Sequence, residues 1–406
     1  MPDWSRTCRV QAPSSSAGIV KPGTTSRLLL ALLSMMAGST AFAERPNVLF
    51  IMVDDLNDYV SLLQDYPGIR TPNLDRFSKS AMVFTRGYCA GVACGPSRAA
   101  MLSGVPPHLT GSYENGQPAL FPQGTVMLTE HFQANGYTTM GAGKIFHGGG
   151  GRGWDKYAGA RGLGPKPMTP GLPVEWDLPP LFDYGAWTGK DTDFPDVVNR
   201  DVIINWLSQE HGKPFFIAYG LYRPHNPWTA PSRFFDMHPL DRLTMPRDPA
   251  PDMADLPPAA IRMAHTVDKK YRKEPVRTLL NSRYWKRVVQ SYLASISFMD
   301  DNLGQVLDAL DKSSHVKDTI VFLAADHGFH MGEKEHFAKF GLWEQTTRIL
   351  YAYRVPGMTP QEGSLCSRTV SLMDVYPTLV DLCGLRRPHQ VDKMSGRSLR
   401  PLLENR

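Results

Sequence analysis

Residues 47–53, Asn-Val-Leu-Phe-Ile-Met-Val, are an almost continuous apolar run that ends abruptly in Asp54-Asp55. Such a run cannot alternate between a buried and a wet face. It fits a central strand covered on both sides, which in practice means a parallel sheet in an α/β fold. A second run, Asp318–Ala324, has the same character and leads into Asp326-His327-Gly328. Open parallel sheets place ligands at the carboxyl ends of their strands. Two acidic strand ends therefore predict one site. Adjacent residues on a strand point to opposite faces, so Asp54 and Asp55 can share that site only if the strand has already opened into a loop. Together Asp54, Asp55, Asp326 and His327 offer three carboxylates and an imidazole to a divalent cation. The oxygens suit Ca²⁺, with Mg²⁺ as the alternative. The nitrogen of His327 is the unusual member, since imidazole is a better ligand for transition metals.

A third feature stands between these runs. Cys94-Gly95-Pro96-Ser97-Arg98 is followed by the helix formers Ala99 to Leu102 and by Gly104. Pro96 suits a first helical turn and Gly104 a C-cap. Cys94 thus sits at a helix N-terminus, where free N–H groups and the helix dipole favour an anionic group. The remaining pattern is that of alternating strands and helices. Thr71 predicts the N-cap of a short helix opening at Pro72, and a strand at Ala81–Phe84 leads towards Cys94. Leu128–Asn135 reads as a helix, and Gly136 to His147 as a strand running into a glycine-rich turn. Pro195–His211 reads as a helix and Pro214–Tyr219 as a strand ending at Tyr222-Arg223-Pro224-His225. From Tyr284 to Leu310 the three- and four-residue spacing of apolar side chains predicts two consecutive helices. Thr369–Leu385 is expected as the final helix. Residues 148–192, rich in Gly and Pro, are expected as a long ordered loop or rim, and the Pro-rich residues 227–282 as an irregular wall of the substrate pocket.

Charge and hydropathy narrow the partners. The net charge is +5, and Arg6, Arg9, Lys21 and Arg27 against Asp3 account for three of those charges within the first 43 residues. No long basic run marks a nucleic-acid surface. Arg27, the apolar run Leu28 to Ala37 and Ala41-Phe42-Ala43 predict an export signal over 1–43, cleaved before Glu44. The run is too short for a stable membrane span, so a periplasmic or secreted protein is expected. Cys8 falls in that leader; Cys89, Cys94, Cys366 and Cys383 show no disulfide framework.

The motif at 94–98 resembles the signature of the sulfatase family, and Gly136 to His147 resembles a second signature of the same family. Arg45-Pro46-Asn47-Val48, Lys144 with His147, Tyr222 to His225 and Asp326 to Lys339 follow the iduronate-2-sulfatase-like branch in order and spacing. The resemblance implies an α/β fold of the alkaline-phosphatase-like type, with a large mostly parallel central sheet flanked by helices. It implies that Cys94 is converted by a formylglycine-generating maturase to an aldehyde whose hydrate attacks sulfur. Cys94 would also bind the metal alongside Asp54, Asp55, Asp326 and His327. Arg98 would hold the hydrate, and Lys144 and Lys339 would neutralise sulfate oxygens. His225 would protonate the leaving alcohol, and His147 would act as the base that releases sulfate. The expected function is hydrolysis of an O-sulfate ester on a saccharide. A phosphonate or phosphate ester hydrolase of the same superfamily, or an inactive sulfated-glycan-binding protein, is the alternative. The expected layout is a catalytic domain over 44–385 and, over 386–406, the start of a C-terminal subdomain whose remainder is missing. That layout predicts exposed apolar surface beside residues 386–403.

Overall fold

The computed structural model describes residues 8–9, 45–63, 66–148, 150–166, 184–246, 254–262, 283–360 and 362–404. The export signal expected over 1–43 lies outside them, apart from Cys8–Arg9, as do parts of the two expected walls. The strands in chain order are β1 (Cys8–Arg9), β2 (Asn47–Val53), β3 (Met82–Tyr88), β4 (Thr138–Gly143), β5 (Lys156–Ala158), β6 (Tyr184–Trp187), β7 (Phe215–Leu221), β8 (Trp228–Pro231), β9 (Thr319–Ala325), β10 (His330–Met331), β11 (Phe337–Ala338), β12 (Arg348–Ile349), β13 (Tyr351–Arg354) and β14 (Ser364–Ser371). Ten of them form one sheet in the order β1-β14-β3-β13-β9-β2-β7-β4-β5, with β12 beside β3. The β6–β8 and β10–β11 pairs are separate ribbons.

The predicted central strands are where the apolar runs required them. β2 lies between β9 and β7, parallel to both, and every residue of the three strands is buried. Phe50 of β2 meets Phe216 at 5.5 Å and Phe322 at 5.1 Å, so one aromatic row crosses all three strands. β4 continues the parallel set beside β7. On the other side β13 runs antiparallel to both β9 and β3, which leaves β3 pointing the same way as β9. The carboxyl ends of β2, β3, β4, β7 and β9 therefore open on one edge of the sheet.

The principal helices are α1 (Pro72–Ser78), α2 (Cys94–Ser103), α3 (Leu128–Ala134), α4 (Pro195–Leu207), α5 (Arg283–Lys312) and α6 (Val375–Leu382). α5 packs against both α1 and α4, while α2 packs against α3 and α6. The stretches expected to be irregular carry strands β5, β6 and β8, and two predicted helices differ. α5 is one continuous 30-residue helix instead of two. Its Gly304 is tolerated because the Asn73 side chain of α1 lies where a Cβ would stand, 2.3 Å away. The final helix begins at Val375 and not at Thr369. The β-branched Thr369 and Val370 extend β14 along β3, and Ser371 caps the turn that starts the helix, accepting from the Met373 N–H at 3.3 Å. Residues 386–403 turn their apolar side chains inward. Leu399, Leu402 and Leu403 are buried, Leu399 N–H donates to Thr378 Oγ1 at 2.9 Å, and Val391 is the one exposed large apolar side chain there among the described residues. β1 pairs with the edge of β14, Cys8 opposite Cys366. Cys366 is disulfide-bonded, while Cys89, Cys94 and Cys383 are free.

The N-terminus of α1 is capped across space. Thr71 is the N-cap residue, but its hydroxyl is engaged with Ser61 Oγ at 2.6 Å. Asp300 of α5 instead accepts from the Asn73 and Leu74 N–H groups at 2.9 and 2.8 Å. Removing such an acceptor costs about 1–3 kcal/mol. Asp300→Ala should therefore lower the unfolding free energy by that amount in urea titrations. Burial raises the Asp300 carboxyl to about 6. The native state holds this proton more tightly than the unfolded chain does, so the group's contribution to stability falls as pH rises through that range. The deficit of Asp300→Ala should be largest near pH 4 and should narrow by pH 7.

Candidate active site

Each strand end delivers one part of the site. β2 stops at Val53, and Asp55 takes a left-handed backbone with φ of 58°. The chain has opened into a loop there, which is the condition for Asp54 and Asp55 to face one space. Tyr292 of α5 fixes the turn by donating to the Asp55 carbonyl at 2.8 Å and accepting from Asn57 N–H at 3.0 Å. β9 delivers Asp326 and His327. The Asp326 Oδ1 accepts from the Asp55 and His327 N–H groups at 3.2 and 3.0 Å, joining the two strand ends. At the end of β4, Gly143 turns with φ of 81°, and a Cβ there would stand 1.9 Å from the Gly220 carbonyl of β7. Only glycine fits this approach, and it directs Lys144 back over the site.

α2 supplies the centre. Cys94 is its first residue and Arg98 lies one turn later on the same face. Both are fully buried. The Arg98 Nε donates to Asp326 Oδ2 at 2.7 Å and Nη2 to Asp54 Oδ1 at 3.3 Å, while Nη1 donates to the carbonyls of Lys144 and Ile145. Its donors are thus directed to the carboxylates and the β4 turn. Ser97 Oγ adds a bond to the Asp326 carbonyl at 2.6 Å. The Cys94 Sγ lies 3.1 Å from Lys339 Nζ, 3.2 Å from His327 Nε2 and 3.7 Å from Asp55 Oδ1. Lys144 pairs with Asp54, and Lys339 pairs with Asp55 at 2.8 Å. Lys339 arrives on a loop in which Lys334, Glu335 and Phe340 all have left-handed backbones, and Phe340 N–H ties it to the Val92 carbonyl at 3.1 Å.

His225 enters from the turn after β7. Asp196 of α4 holds that turn by accepting from the Tyr222 and Arg223 N–H groups at 2.6 and 3.1 Å. The His225 Nδ1 donates to the Asn226 carbonyl at 2.5 Å, leaving Nε2 3.7 Å from Asp55. His147 is exposed at the mouth beside Gly95. All the residues singled out from sequence are therefore at one edge of the sheet, with His147 on its rim. Sequence reading missed Asn115, whose Oδ1 accepts from Gly95 N–H at 2.8 Å, along with Asp196 and Tyr292. Each acts from an element distant in the chain, and only the first-turn acid at Asp196 carried a local signal.

The charges are mutually adjusted. Burial opposes ionisation of Asp54, but Lys144, His225 and Arg98 hold its carboxyl well below the usual range. Burial likewise opposes ionisation of Asp55, yet His225 and Lys339 hold it at about 2. Cys94 is pushed up by burial and Asp54 but drawn down by Lys144 and Lys339, settling at about 7. His225 is lowered by burial to about 4. His327 is disfavoured by burial but raised to about 9 by Asp326 and Cys94.

The donor set fits a divalent cation. Asp54, Cys94, Asp326 and His327 offer ligand atoms within 4.8 Å of one another, and so do Asp54, Asp55, Cys94 and His225. His327 Nδ1 donates to the Gly328 carbonyl at 2.9 Å, which leaves Nε2 directed into the carboxylates, as a metal-ligating imidazole requires.

The family profile described as Sulfatase matches residues 46–385. The chain belongs to the sulfatase family. It is a sulfuric ester hydrolase, and the family implies a metal and a formylglycine. A sulfatase of Formosa agariphila is 35% identical over 361 residues, covering 84% of this chain and 70% of that protein. Human iduronate 2-sulfatase is 25% identical over 435 residues, covering 93% and 76%. The N-acetylglucosamine-6-O-sulfatase of Bacteroides thetaiotaomicron is 25% identical, covering 97% and 78%. Among solved structures, the phosphonate monoester hydrolase of Agrobacterium radiobacter superposes with a TM-score of 0.72 at 21% identity, covering 89% of this chain and 77% of that one. A protein solved with its substrate D-glucosamine-2-N,6-O-disulfate gives 0.72 at 23% identity, covering 89% and 81%. Both likenesses are of fold, a mixed α/β architecture around a large, mostly parallel central sheet. Among the described residues of this sulfatase, no helix is long and apolar enough to cross a membrane.

Breaking a buried ion pair by removing one partner costs about 3–5 kcal/mol. Arg98→Met should destabilise the sulfatase by that amount in chemical denaturation, because Asp54 and Asp326 lose their shared donor. Arg98→Lys should recover part of the loss.

Proposed function

We propose that this sulfatase hydrolyses an O-sulfate ester on a saccharide, with Cys94 converted to formylglycine as the nucleophilic residue. The observation that supports this reading most directly is the placement of Cys94. Its Sγ, which stands in for the oxygen of the modified side chain, lies at the N-terminus of α2 between Lys339 and the carboxylates. As an aldehyde hydrate it would supply an oxygen nucleophile for sulfur. Asp54, Asp55, Asp326 and His327 would hold the cation, Ca²⁺ with Mg²⁺ as the alternative, which would polarise the sulfate group.

The chain's own side chains do the rest. Lys144 and Lys339 each rest on a carboxylate, and exchanging that partner for a sulfate oxygen would keep both ammonium groups paired while stabilising charge that grows on the leaving oxygen. His225 Nε2 faces the site with its ring held by Asn226, as expected for the proton donor to the leaving alkoxide. An anion bound beside it would favour its protonated form. His147, exposed at the mouth, is the base proposed to free sulfate. Relatives named for iduronate and N-acetylglucosamine sulfates support a saccharide substrate. The phosphonate monoester hydrolase neighbour supports a second reading, and comparing turnover of aryl sulfate with aryl phosphonate decides between them. Export rests on residues 28–43, and N-terminal sequencing of mature protein should begin at Glu44.

Peptide mass spectrometry of protein made with a maturase should find the aldehyde at position 94. Cys94→Ala should reduce aryl sulfate turnover by about four orders of magnitude or more. A strong chelator should abolish activity, and add-back of Ca²⁺ or Mg²⁺ should restore it and identify the ion. Unmodified thiol in an active preparation, or full activity under chelation, would overturn the reading.

A further inference from the structure

One loop at the mouth is built more tightly than a connecting loop needs to be. A short helix, Pro107–Thr110, stops at Gly111, and the chain returns to it when Leu120 N–H bonds the Thr110 carbonyl at 2.9 Å. Between those points the loop is braced by its own Gln117. That side-chain carbonyl accepts from the Tyr113 and Glu114 N–H groups at 2.8 and 3.1 Å, and the Gln117 main-chain carbonyl accepts from Ser112 Oγ at 3.3 Å. Gly116, with φ of 90°, makes the return turn that a side-chain-bearing residue would resist. At its inner side, Asn115 bonds the N–H of Gly95, the residue next to the nucleophile. The loop is thus ordered by itself and pinned to the catalytic helix.

What it presents outward is not what stability asks for. Tyr113 is 56% exposed and Leu120 72% exposed. An exposed aromatic ring two residues from Asn115 is placed to receive the apolar C–H face of a sugar, while its hydroxyl stays in water. Lys144, Lys339 and His225 read only the sulfate and the leaving oxygen, so recognition of the ring has to come from the mouth. Asn115 of this loop belongs to the site described above, but Tyr113 does not.

We propose that the loop Thr110–Leu120 is the saccharide-reading wall of this sulfatase, with Tyr113 stacking on the ring that carries or adjoins the sulfate. The proposal rests on the saccharide reading of the function. Preordering matters because a braced loop loses little conformational freedom when the sugar arrives.

The test separates the ring from the sulfate. Wild type, Tyr113→Ala and Tyr113→Phe are assayed on 4-nitrophenyl sulfate and on a panel of defined sulfated disaccharides. Tyr113→Ala should raise KM for the accepted disaccharide about tenfold, with kcat changed less than about twofold, in keeping with the loss of one stacking contact. On 4-nitrophenyl sulfate its kcat/KM should stay within about twofold of wild type. Tyr113→Phe should behave as wild type on both, since the ring face is retained. A wild type that accepts a disaccharide together with a Tyr113→Ala variant that loses both substrates equally, or neither, would overturn the loop proposal alone. A wild type that turns over 4-nitrophenyl sulfate but no saccharide would overturn the saccharide reading and the loop proposal together.

Discussion

The guanidinium of Arg98 is the interaction on which the rest of this structure depends. One planar, permanently charged group reaches Asp54 at the end of β2, Asp326 at the end of β9 and two carbonyls in the turn after β4. It welds three strand ends to the helix that carries Cys94. A lysine in its place could neutralise charge but could not bond four acceptors in different directions. The cost of burying so many carboxylates is offset in part by Arg98, Lys144 and Lys339, which pair with Asp54, Asp55 and Asp326.

This arrangement explains why the sulfatase needs glycine and strain in particular places. Strands pack about 5 Å apart, and the site must fit between their ends. Gly143 lets β4 close on β7 and still turn Lys144 inward. The left-handed backbones at Lys334, Glu335 and Phe340 bring Lys339 over the same space from a loop. Such conformations are held by their surroundings, here by Phe340 bonded to Val92 and Glu333 bonded to Tyr59.

Much of this was legible in the chain. The buried strands announced themselves because Val48–Val53 and Ile320–Ala324 contain no polar residue to break the run. The edge where they open followed from their being parallel. Cys94, Arg98 and Lys144 lie in short motifs whose spacing is set by a single helix or turn. The illegible parts are those fixed across space. Asp300 does the capping that Thr71 was expected to do, Asp196 holds the His225 turn, and Asn115 reaches Gly95. None of these pairings leaves a periodic trace. The start of α6 was misplaced because Thr369 and Val370 belong to a strand whose partner, β3, lies far back in the chain. Two consecutive helices were expected over Tyr284–Leu310, yet α5 runs through unbroken, packed along its length against α1 and α4.

The strand order has a consequence in time. β2 is made early, but its neighbours β7 and β9 follow only much later, and β9 brings Asp326, to which Ser97 and Arg98 are bonded across separations of 229 and 228 residues. Two of the groups against the Cys94 Sγ, His327 and Lys339, follow it in the chain by 233 and 245 residues. Once they are in place the side chain is sealed at 0% exposure. The covalent conversion proposed for that residue therefore has a deadline set by the order of synthesis. Long-range parallel pairing folds slowly, so a side chain sealed by it is buried late in folding.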